Sequence, residues 1–270
     1  MIYITGDCHG NFERFNASIF PEQYEMTKDD YVIICGDFGG VWNKDGESKT
    51  ETMILDWLDC KPFTTLFVDG NHENFDRLMD YLVEEWQGGK VHKIRPSVIH
   101  LMRGQVYEVE GKKIFTFGGA SSHDIDGGIL KLDDPDFKKK KKALDKGWKP
   151  YRINHLSWWK EELPSTEEME EGRKNLQNCN NEVDFIVTHC ASSSTAALLS
   201  HGLYKPDFLT DYLEEIRQTV KFKKWFFGHY HDNRNVNAEE ILLWEQIIRI
   251  SYIKYGLITI YLSRHILNSM

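Results

Sequence analysis

The sequence predicts an α/β fold built on a mostly parallel sheet. Three short apolar runs, at 2–5, 31–35 and 64–68, are spaced so that helical segments can lie between them. Strands that alternate with helices are typical of parallel sheets, because each strand needs a crossover connection to reach the next one. Shorter strand candidates from residue 92 onwards indicate a second sheet. At 270 residues, the chain can bury a large core as one domain.

The remaining elements follow from the same patterns along the chain. Two alternating apolar stretches joined by Glu110 and Gly111 predict a hairpin. Later apolar runs predict further strands of the core, with one helix returning between them. The predicted helices are 11–19, 48–60, 73–84 and 206–219, and the predicted strands beyond residue 100 are 105–109, 112–117, 183–187, 223–227, 243–246 and 257–262.

The segment 121–182 differs in composition from the rest of the chain. It is polar and rich in Lys and Glu, and the stretches 156–163 and 165–176 within it have helical patterns. Ser165, with Glu168 three positions later, forms a capping-box signature. We therefore expect a single domain over 1–270 with a small helical cap inserted at about 121–182. Loops and caps over a site often select its substrate.

Short clusters of Asp, His and Asn stand where the predicted strands end. A pair of divalent metals needs a bridging carboxylate and neutral imidazole or amide ligands on each ion. Asp37 follows the second strand and is the natural bridge between ligands from its neighbours. If all the clustered histidines were only structural, many buried polar groups would lie unpaired, each at a cost of kilocalories. The candidate ligands are Asp7, His9, Asp37, Asn71, His189, His229 and His231.

The order of these clusters resembles the calcineurin-like metallophosphoesterase superfamily, whose blocks run D-x-H, G-D, G-N-H-E, a single H and G-H-x-H. Here they read DCH at 7–9, GD at 36–37, GNHE at 70–73, H at 189 and GHYH at 228–231. The resemblance implies a two-sheet α/β/β/α sandwich. It also implies that His72 is not a ligand but contacts the substrate, as general acid or transition-state stabiliser. By the same resemblance, Asp7, His9, Asp37 and His231 surround one metal, and Asp37, Asn71, His189 and His229 surround the other.

The predicted function is hydrolysis of a phosphate ester by a hydroxide that bridges two divalent metals. Mixed nitrogen and oxygen ligands favour Mn²⁺ or Fe, with Zn²⁺ as an alternative. Eukaryotic-type Ser/Thr protein phosphatases grip phosphate with the arginine of GDxVDRG, whereas Val41 occupies that position in GDFGGVW. A diester, which carries less charge than a monoester, is therefore slightly favoured. The predicted substrate contacts are Asn71, His72, Arg103 and Arg152, with Arg14 and Arg77 as other possible clamps.

Two alternatives stay open at this point, a nuclease and a non-catalytic metal-binding scaffold. The formal charge of −9 argues against a long polyanion and for a small phosphorylated substrate. A lysine run at 138–142 means that nucleic acid is not excluded, although such runs are usually solvated.

The location of the protein is predicted from its apolar runs and its cysteines. The longest apolar run near the C-terminus, 257–262, is too short to cross a bilayer, so we expect no membrane association. Five cysteines without paired spacing suit a reducing compartment. We therefore expect a cytoplasmic protein.

Overall fold

The computed structural model describes residues 1–253 and 256–261, with side chains up to residue 250. The strands in this part of the chain are β1 (Ile2–Thr5), β2 (Tyr31–Ile34), β3 (Thr64–Phe67), β4 (Val83–Trp86), β5 (Gly89–Arg95), β6 (Val98–Leu101), β7 (Gln105–Val109), β8 (Lys112–Phe117), β9 (Ile129–Leu130), β10 (Arg152–Ile153), β11 (Phe185–Thr188), β12 (Lys224–Phe227), β13 (Arg234–Asn235), β14 (Glu240–Leu242), β15 (Ile248–Ile253) and β16 (Gly256–Tyr261). The α-helices are α1 (Lys49–Asp59), α2 (Phe75–Leu78), α3 (Phe137–Lys146), α4 (Thr166–Asn178), α5 (Ser193–Leu199) and α6 (Phe208–Thr219).

The first sheet has eight strands in the order β16-β15-β1-β2-β3-β6-β5-β4. Its central strands β1, β2, β3 and β6 run parallel, and antiparallel strands complete both edges. Ile2 pairs with Tyr31, and Tyr31 pairs with Thr64, so the three N-terminal strands are aligned. Their C-terminal ends therefore meet along one edge of the sheet, where open α/β sheets carry their sites.

The second sheet has six strands in the order β13-β14-β12-β11-β8-β7. Strands β14, β12, β11 and β8 run parallel, and β7 pairs with β8 as the predicted antiparallel hairpin. A separate pair of two-residue strands, β9 and β10, lies within residues 121–182.

The two sheets pack face to face, and helices cover their outer faces. Ile2 and Ile4 point inward and join Phe185 and Phe226 of the second sheet in one buried cluster. Tyr3, one residue out of phase, joins α1 on the outer side, as the two-residue period of a strand requires. On the far side, α4 and α6 pack against the second sheet. The α/β/β/α architecture is therefore confirmed.

Most predicted elements are present, but the predictions of two helices in the N-terminal part of the chain are wrong. The stretch 11–19 forms only a 3-10 turn at Glu13–Phe15. Its phenylalanines pack against rings from other parts of the chain, Phe12 on Phe38 and Phe15 on Phe63. The stretch 73–84 holds one helical turn, α2, capped by Asn74. The chain then extends into β4, which pairs with β5. Strands β5 and β6 belong to the first sheet, so the second sheet begins at β7 and not at residue 92.

The C-terminal half shows similar differences. Instead of a helix over 156–163, the chain has a short turn at Lys160–Glu162. The strand expected at 243–246 lies earlier, as β14. The strand expected at 257–262 is β16, and Leu262 lies outside the described residues. The lysine run forms α3, which has no buried residue.

The predicted capping box of the inserted segment is confirmed, since Ser165 and Glu168 cap α4 reciprocally. Helix α4 packs into the outer layer through Leu176. The division into one domain with a cap over 121–182 stays a prediction. In the described part of the chain, no helix combines the length and apolar content that crossing a bilayer requires. The cytoplasmic location also stays a prediction.

Candidate metal centre

The predicted ligands come together at the C-terminal ends of strands from both sheets. Asp7, Asp37 and Asn71 stand in the loops after β1, β2 and β3. His189 directly follows β11, and His229 lies two residues after β12. The loops are tied to one another, since the backbone N–H of His9 donates to the Asp37 carbonyl at 2.7 Å and that of Gly228 donates to the His189 carbonyl at 2.9 Å.

One group of donors lies on the open side of the site. His231 Nε2 is 3.2 Å from Asp7 Oδ2, and His9 Nε2 is 3.1 Å from His231 Nε2. His9 Nε2 also lies 3.6 Å from Asp37 Oδ2. The Asp7 side chain is completely buried, whereas that of His231 is 49% exposed. A ligand could therefore reach this group from solvent.

A second group of donors lies deeper in the protein. His189 Nε2 is 3.4 Å from Asp37 Oδ1 and 3.3 Å from Asn71 Oδ1. Its Nδ1–H donates to the Cys35 carbonyl at 2.8 Å, which orients the ring and turns Nε2 towards the other donors. The His229 ring lies 5.0 Å from the His189 ring. Asp37 thus turns one oxygen towards each group, a position from which it could bridge two ions.

The backbone around these ligands is strained and firmly anchored. His9, Asp37, His229 and His231 all have left-handed φ angles, between 45° and 70°. Such conformations are costly for residues other than glycine and cluster at functional sites. The carboxylates are held by backbone N–H groups, since His72 donates to Asp37 Oδ1 at 2.8 Å and His229 donates to both Asp7 oxygens at 3.0 and 3.1 Å.

Two glycines allow the carboxylates to approach the backbone. A Cβ at Gly70 would lie 2.0 Å from Asp37 Oδ1, and a Cβ at Gly228 would lie 2.0 Å from Asp7 Oδ1. Neither distance is compatible with a side chain, and in both cases the atom in the way is a ligand oxygen. Glycine is therefore required at both positions for the ligands to keep their places.

The electrostatics of the site favour a cation between the two carboxylates. Burial lowers the pKa of His189, but the charges of Asp37 and Asp7 outweigh it and raise that pKa to about 10. Burial and the neighbouring charge of His189 lower the pKa of His229 to about 3. Positive charge is thus stabilised where Asp37, Asn71 and His189 meet.

The donor set fits two divalent ions with nitrogen and oxygen ligands. Three groups of possible ligand atoms are compact enough to hold an ion, since the atoms of each group lie within 4.8 Å of one another. The groups are Asp7, His9 and His231; His9, Asp37 and His72; and Asp7, Asp37 and His189. His72 therefore lies beside the candidate ligands, although it was not predicted to be one. Among the described residues, no cysteine belongs to these groups. Burial raises the pKa of the Cys8 thiol to about 11 and that of the Cys190 thiol higher still. The Cys8 thiol instead contacts the Gly6 carbonyl, at 3.8 Å.

Of the two arginines predicted to bind substrate, the structure brings only Arg152 to the site. Its Nη2 lies 3.3 Å from His72 Nε2, and Asp124 holds its Nε at 2.9 Å. Arg103 is 5% exposed, and its donors are used by Asp69 and the Glu161 carbonyl. The ion pair between Arg103 and Asp69 could not be predicted from the sequence, because the spacing between these two residues is not distinctive.

The other two arginines considered from the sequence are also bound within the protein. Arg14 donates to the carbonyls of Gly6, Asp7 and Trp244. Arg77 donates to Glu51. Neither guanidinium is therefore available as a phosphate clamp.

Several residues beside the site were not predicted from the sequence. The ring of Trp42 stacks on that of His72, with centroids 6.3 Å apart, and the ring of Trp244 stacks on that of His231 at 5.3 Å. Asp124 holds Arg152 from 28 positions away. Aromatic residues at strand ends and a single aspartate in a polar loop are common, so no sequence signal separates them from ordinary packing.

The chain is similar to known phosphoesterases. A family model for calcineurin-like phosphoesterases matches residues 1–233. Lariat debranching enzyme A of Xenopus laevis is 30% identical over 141 residues, which cover 47% of this chain and 25% of that protein. The lariat debranching enzyme of Danio rerio is 26% identical over 47% of this chain and 23% of its own length. That of Arabidopsis thaliana is 35% identical over 33% of this chain and 23% of its own length. The matched region thus spans about a quarter of these relatives.

Proposed function

The chain belongs to the calcineurin-like phosphoesterase family, and on that premise we propose that it hydrolyses phosphodiesters at a two-metal centre. Family membership confirms the predicted class, a metal-dependent phosphoester hydrolase. The observation that carries the proposal is the meeting of two buried carboxylates, four imidazoles and one amide at the strand ends of both sheets.

The two ions would be held on either side of Asp37. Two divalent ions supply Lewis acidity, which activates a water molecule and neutralises charge on the phosphoryl oxygens. Mn²⁺ or Fe is proposed, with Zn²⁺ as the alternative, because donors without a thiolate do not select strongly among these metals. Asp7, His9, Asp37 and His231 would hold one ion, and Asp37, Asn71, His189 and His229 the other.

His72 and Arg152 would act on the substrate itself. A guanidinium can only donate, so His72 Nε2 accepts from Arg152 and the neutral imidazole carries its proton on Nδ1. We assign the binding of a phosphoryl oxygen to Arg152. The Nδ1–H of the neutral His72 ring would donate a hydrogen bond to the leaving oxygen. Asp124 offsets the charge of Arg152 through a two-oxygen contact. The site is therefore less cationic than a clamp for a doubly charged monoester needs to be, which supports a diester.

Two observations support nucleic acid as the carrier of that diester, against the expectation from net charge. The similar proteins are lariat debranching enzymes, and a lariat is a branched nucleic acid. Helix α3 exposes its lysines, and Lys141 Nζ lies 5.6 Å over the Tyr151 ring, next to Arg152. Lys138, Lys139 and Lys142 are exposed on the same stretch of chain, 121–182, that carries Arg152, and phosphate backbones bind such cationic side chains. These observations favour the nuclease alternative over the scaffold.

The first experiment compares two small esters with one leaving group. For the Mn²⁺-loaded protein, we expect kcat/KM for bis(p-nitrophenyl) phosphate to be at least comparable to that for p-nitrophenyl phosphate. The Asp37→Asn variant serves as the control for contaminating phosphatases. A strong preference for the monoester would contradict the diester assignment.

The second experiment compares a branched oligonucleotide with an unbranched strand of the same sequence and length. Faster cleavage of the branched molecule supports the proposed substrate class. Equal cleavage of both molecules points to a nuclease without branch preference. Cleavage of neither restricts the enzyme to small diesters.

A further inference from the structure

The orientation of the Asn71 side chain decides whether it can bind a metal. The two ends of an amide differ, because only the oxygen offers a lone pair to a cation while the nitrogen donates two protons. Oδ1 lies 3.3 Å from His189 Nε2, and Nδ2 lies 3.4 Å from Ser122 Oγ. A half-turn about the last side-chain bond would exchange them and place the NH₂ group in the metal site. Orientations of this kind are set by the surrounding hydrogen bonds.

Ser122 and Glu162 provide those hydrogen bonds. The Ser122 backbone N–H donates to one Glu162 carboxylate oxygen at 2.9 Å, and its hydroxyl donates to the other at 2.6 Å. Ser122 is 6% exposed and Glu162 is 3% exposed, so water competes little for these bonds. A hydroxyl has a single proton. Once that proton goes to Glu162, Ser122 Oγ can only accept, and Asn71 must turn its NH₂ group towards it.

We propose that Ser122 and Glu162 are positioning residues, which fix the Asn71 amide and thereby set the affinity of the site for its second metal ion. The inference rests on the proposed two-metal function. Glu162 belongs to the turn at Lys160–Glu162, within the inserted segment. The insertion is then part of the metal centre, in addition to supplying Arg152 at its entrance. Partners that orient metal ligands typically contribute roughly 10- to 100-fold to metal affinity.

The test is the variant Glu162→Gln. It keeps the shape of the side chain but replaces one carboxylate oxygen, which accepts hydrogen bonds, with an NH₂ group, which donates them. The glutamine oxygen accepts the Ser122 N–H, so its NH₂ group faces Ser122 Oγ. The serine proton is then directed at Asn71, and the amide turns over. We expect binding of the second Mn²⁺ ion to weaken roughly 10- to 100-fold in isothermal titration calorimetry, with the first ion unaffected. Ser122→Ala, which removes the acceptor, should weaken the same ion.

Two further variants separate amide orientation from general damage. Glu167→Gln makes the same chemical change on an exposed side chain at the start of α4, and it should bind both ions as the wild-type protein does. Asn71→Asp has two equivalent oxygens and needs no fixed orientation. In that background, Glu162→Gln should cause no further loss of affinity. Circular dichroism confirms that each variant is folded.

The outcomes distinguish this inference from the proposed function. If the wild-type protein and Glu162→Gln bind two ions equally well, the role of Ser122 and Glu162 is overturned while the two-metal centre stands. Equal losses from Glu162→Gln in the wild-type and the Asn71→Asp backgrounds would also overturn it, because orientation would then play no part. A wild-type protein that binds fewer than two ions would overturn the proposed function itself.

Discussion

Replacing Arg152 with glutamine tests the assignment of the substrate-binding arginine. The guanidinium is only 14% exposed and is held in place by Asp124 and by the Ser157 carbonyl, with Nη2 directed at His72. The segment that carries it is anchored separately, because His155 and Trp159 both bind Asp76, at 2.9 and 2.7 Å. Loss of the guanidinium should therefore leave the backbone of β10 in place. Glutamine keeps a polar side chain without the charge.

The expected magnitude follows from one charge-assisted hydrogen bond. Such a bond contributes about 1.5–3 kcal/mol, which corresponds to a roughly 10- to 150-fold loss of kcat/KM. Asp124→Asn keeps the guanidinium of Arg152 but weakens the contact that fixes its position. The decrease in kcat/KM for Asp124→Asn should therefore be smaller than that for Arg152→Gln. Because a monoester carries more charge than a diester, Arg152→Gln should impair hydrolysis of p-nitrophenyl phosphate more than that of bis(p-nitrophenyl) phosphate.

Steady-state kinetics with both esters provides the measurement, at a metal content checked by plasma mass spectrometry. Arg173→Gln is the matched control, because it removes an arginine paired with Glu215 in the outer helical layer. Its kcat/KM should equal that of the wild-type protein. If Arg152→Gln stays within about threefold of the wild type with both ions bound, Arg152 does not bind the substrate and the reasoning fails.

Three other variants address the bridge, the catalytic histidine and the fold. Asp37→Asn should lose at least one metal ion and most activity while staying folded, and a retained stoichiometry of two in plasma mass spectrometry would refute the bridging role. His72→Ala should lower turnover by roughly 10²–10⁴ with both ions in place; near-normal turnover would favour the scaffold alternative. Glu51→Gln should lower the free energy of unfolding at pH 7 by about 1–3 kcal/mol in urea. Burial raises the pKa of Glu51, but hydrogen bonds from Asn43, Ser48 and Trp42 lower it to about 2. The wild-type advantage should thus be complete above pH 4.5 and disappear as the pH falls towards 2; an advantage that is constant over this range would contradict the assignment.

The candidate metal ligands could be proposed from the sequence because each cluster that contains them follows a short apolar run. Strand ends are visible in the sequence, and parallel strands bring their C-terminal ends to one edge. The proposed assignment of these ligands to two separate ions came from the resemblance in the order of the clusters. The fold class was predictable for the same reason, since strands alternating with helices allow few other arrangements.

Local elements were less predictable where tertiary contacts outweighed periodicity. Phe12 and Phe15 have a helical spacing, yet they pack in one buried cluster with Phe38 and Phe63 from other parts of the chain. The chain after α2 has helix-forming residues but becomes an edge strand through pairing with β5. In both cases the packing free energy exceeds the small intrinsic preference of the residues for a helix.

The fold class and the phosphoesterase class of this protein follow from its sequence alone, and so does the set of candidate metal ligands. Tertiary contacts were needed to show which arginine reaches the site, which aspartate holds it, and which serine and glutamate fix the orientation of Asn71. The physical reason is the range of the interactions. Residues at strand ends are placed by the local backbone pattern, whereas Arg152 binds Asp124 and His72 at 28 and 80 positions away in the chain.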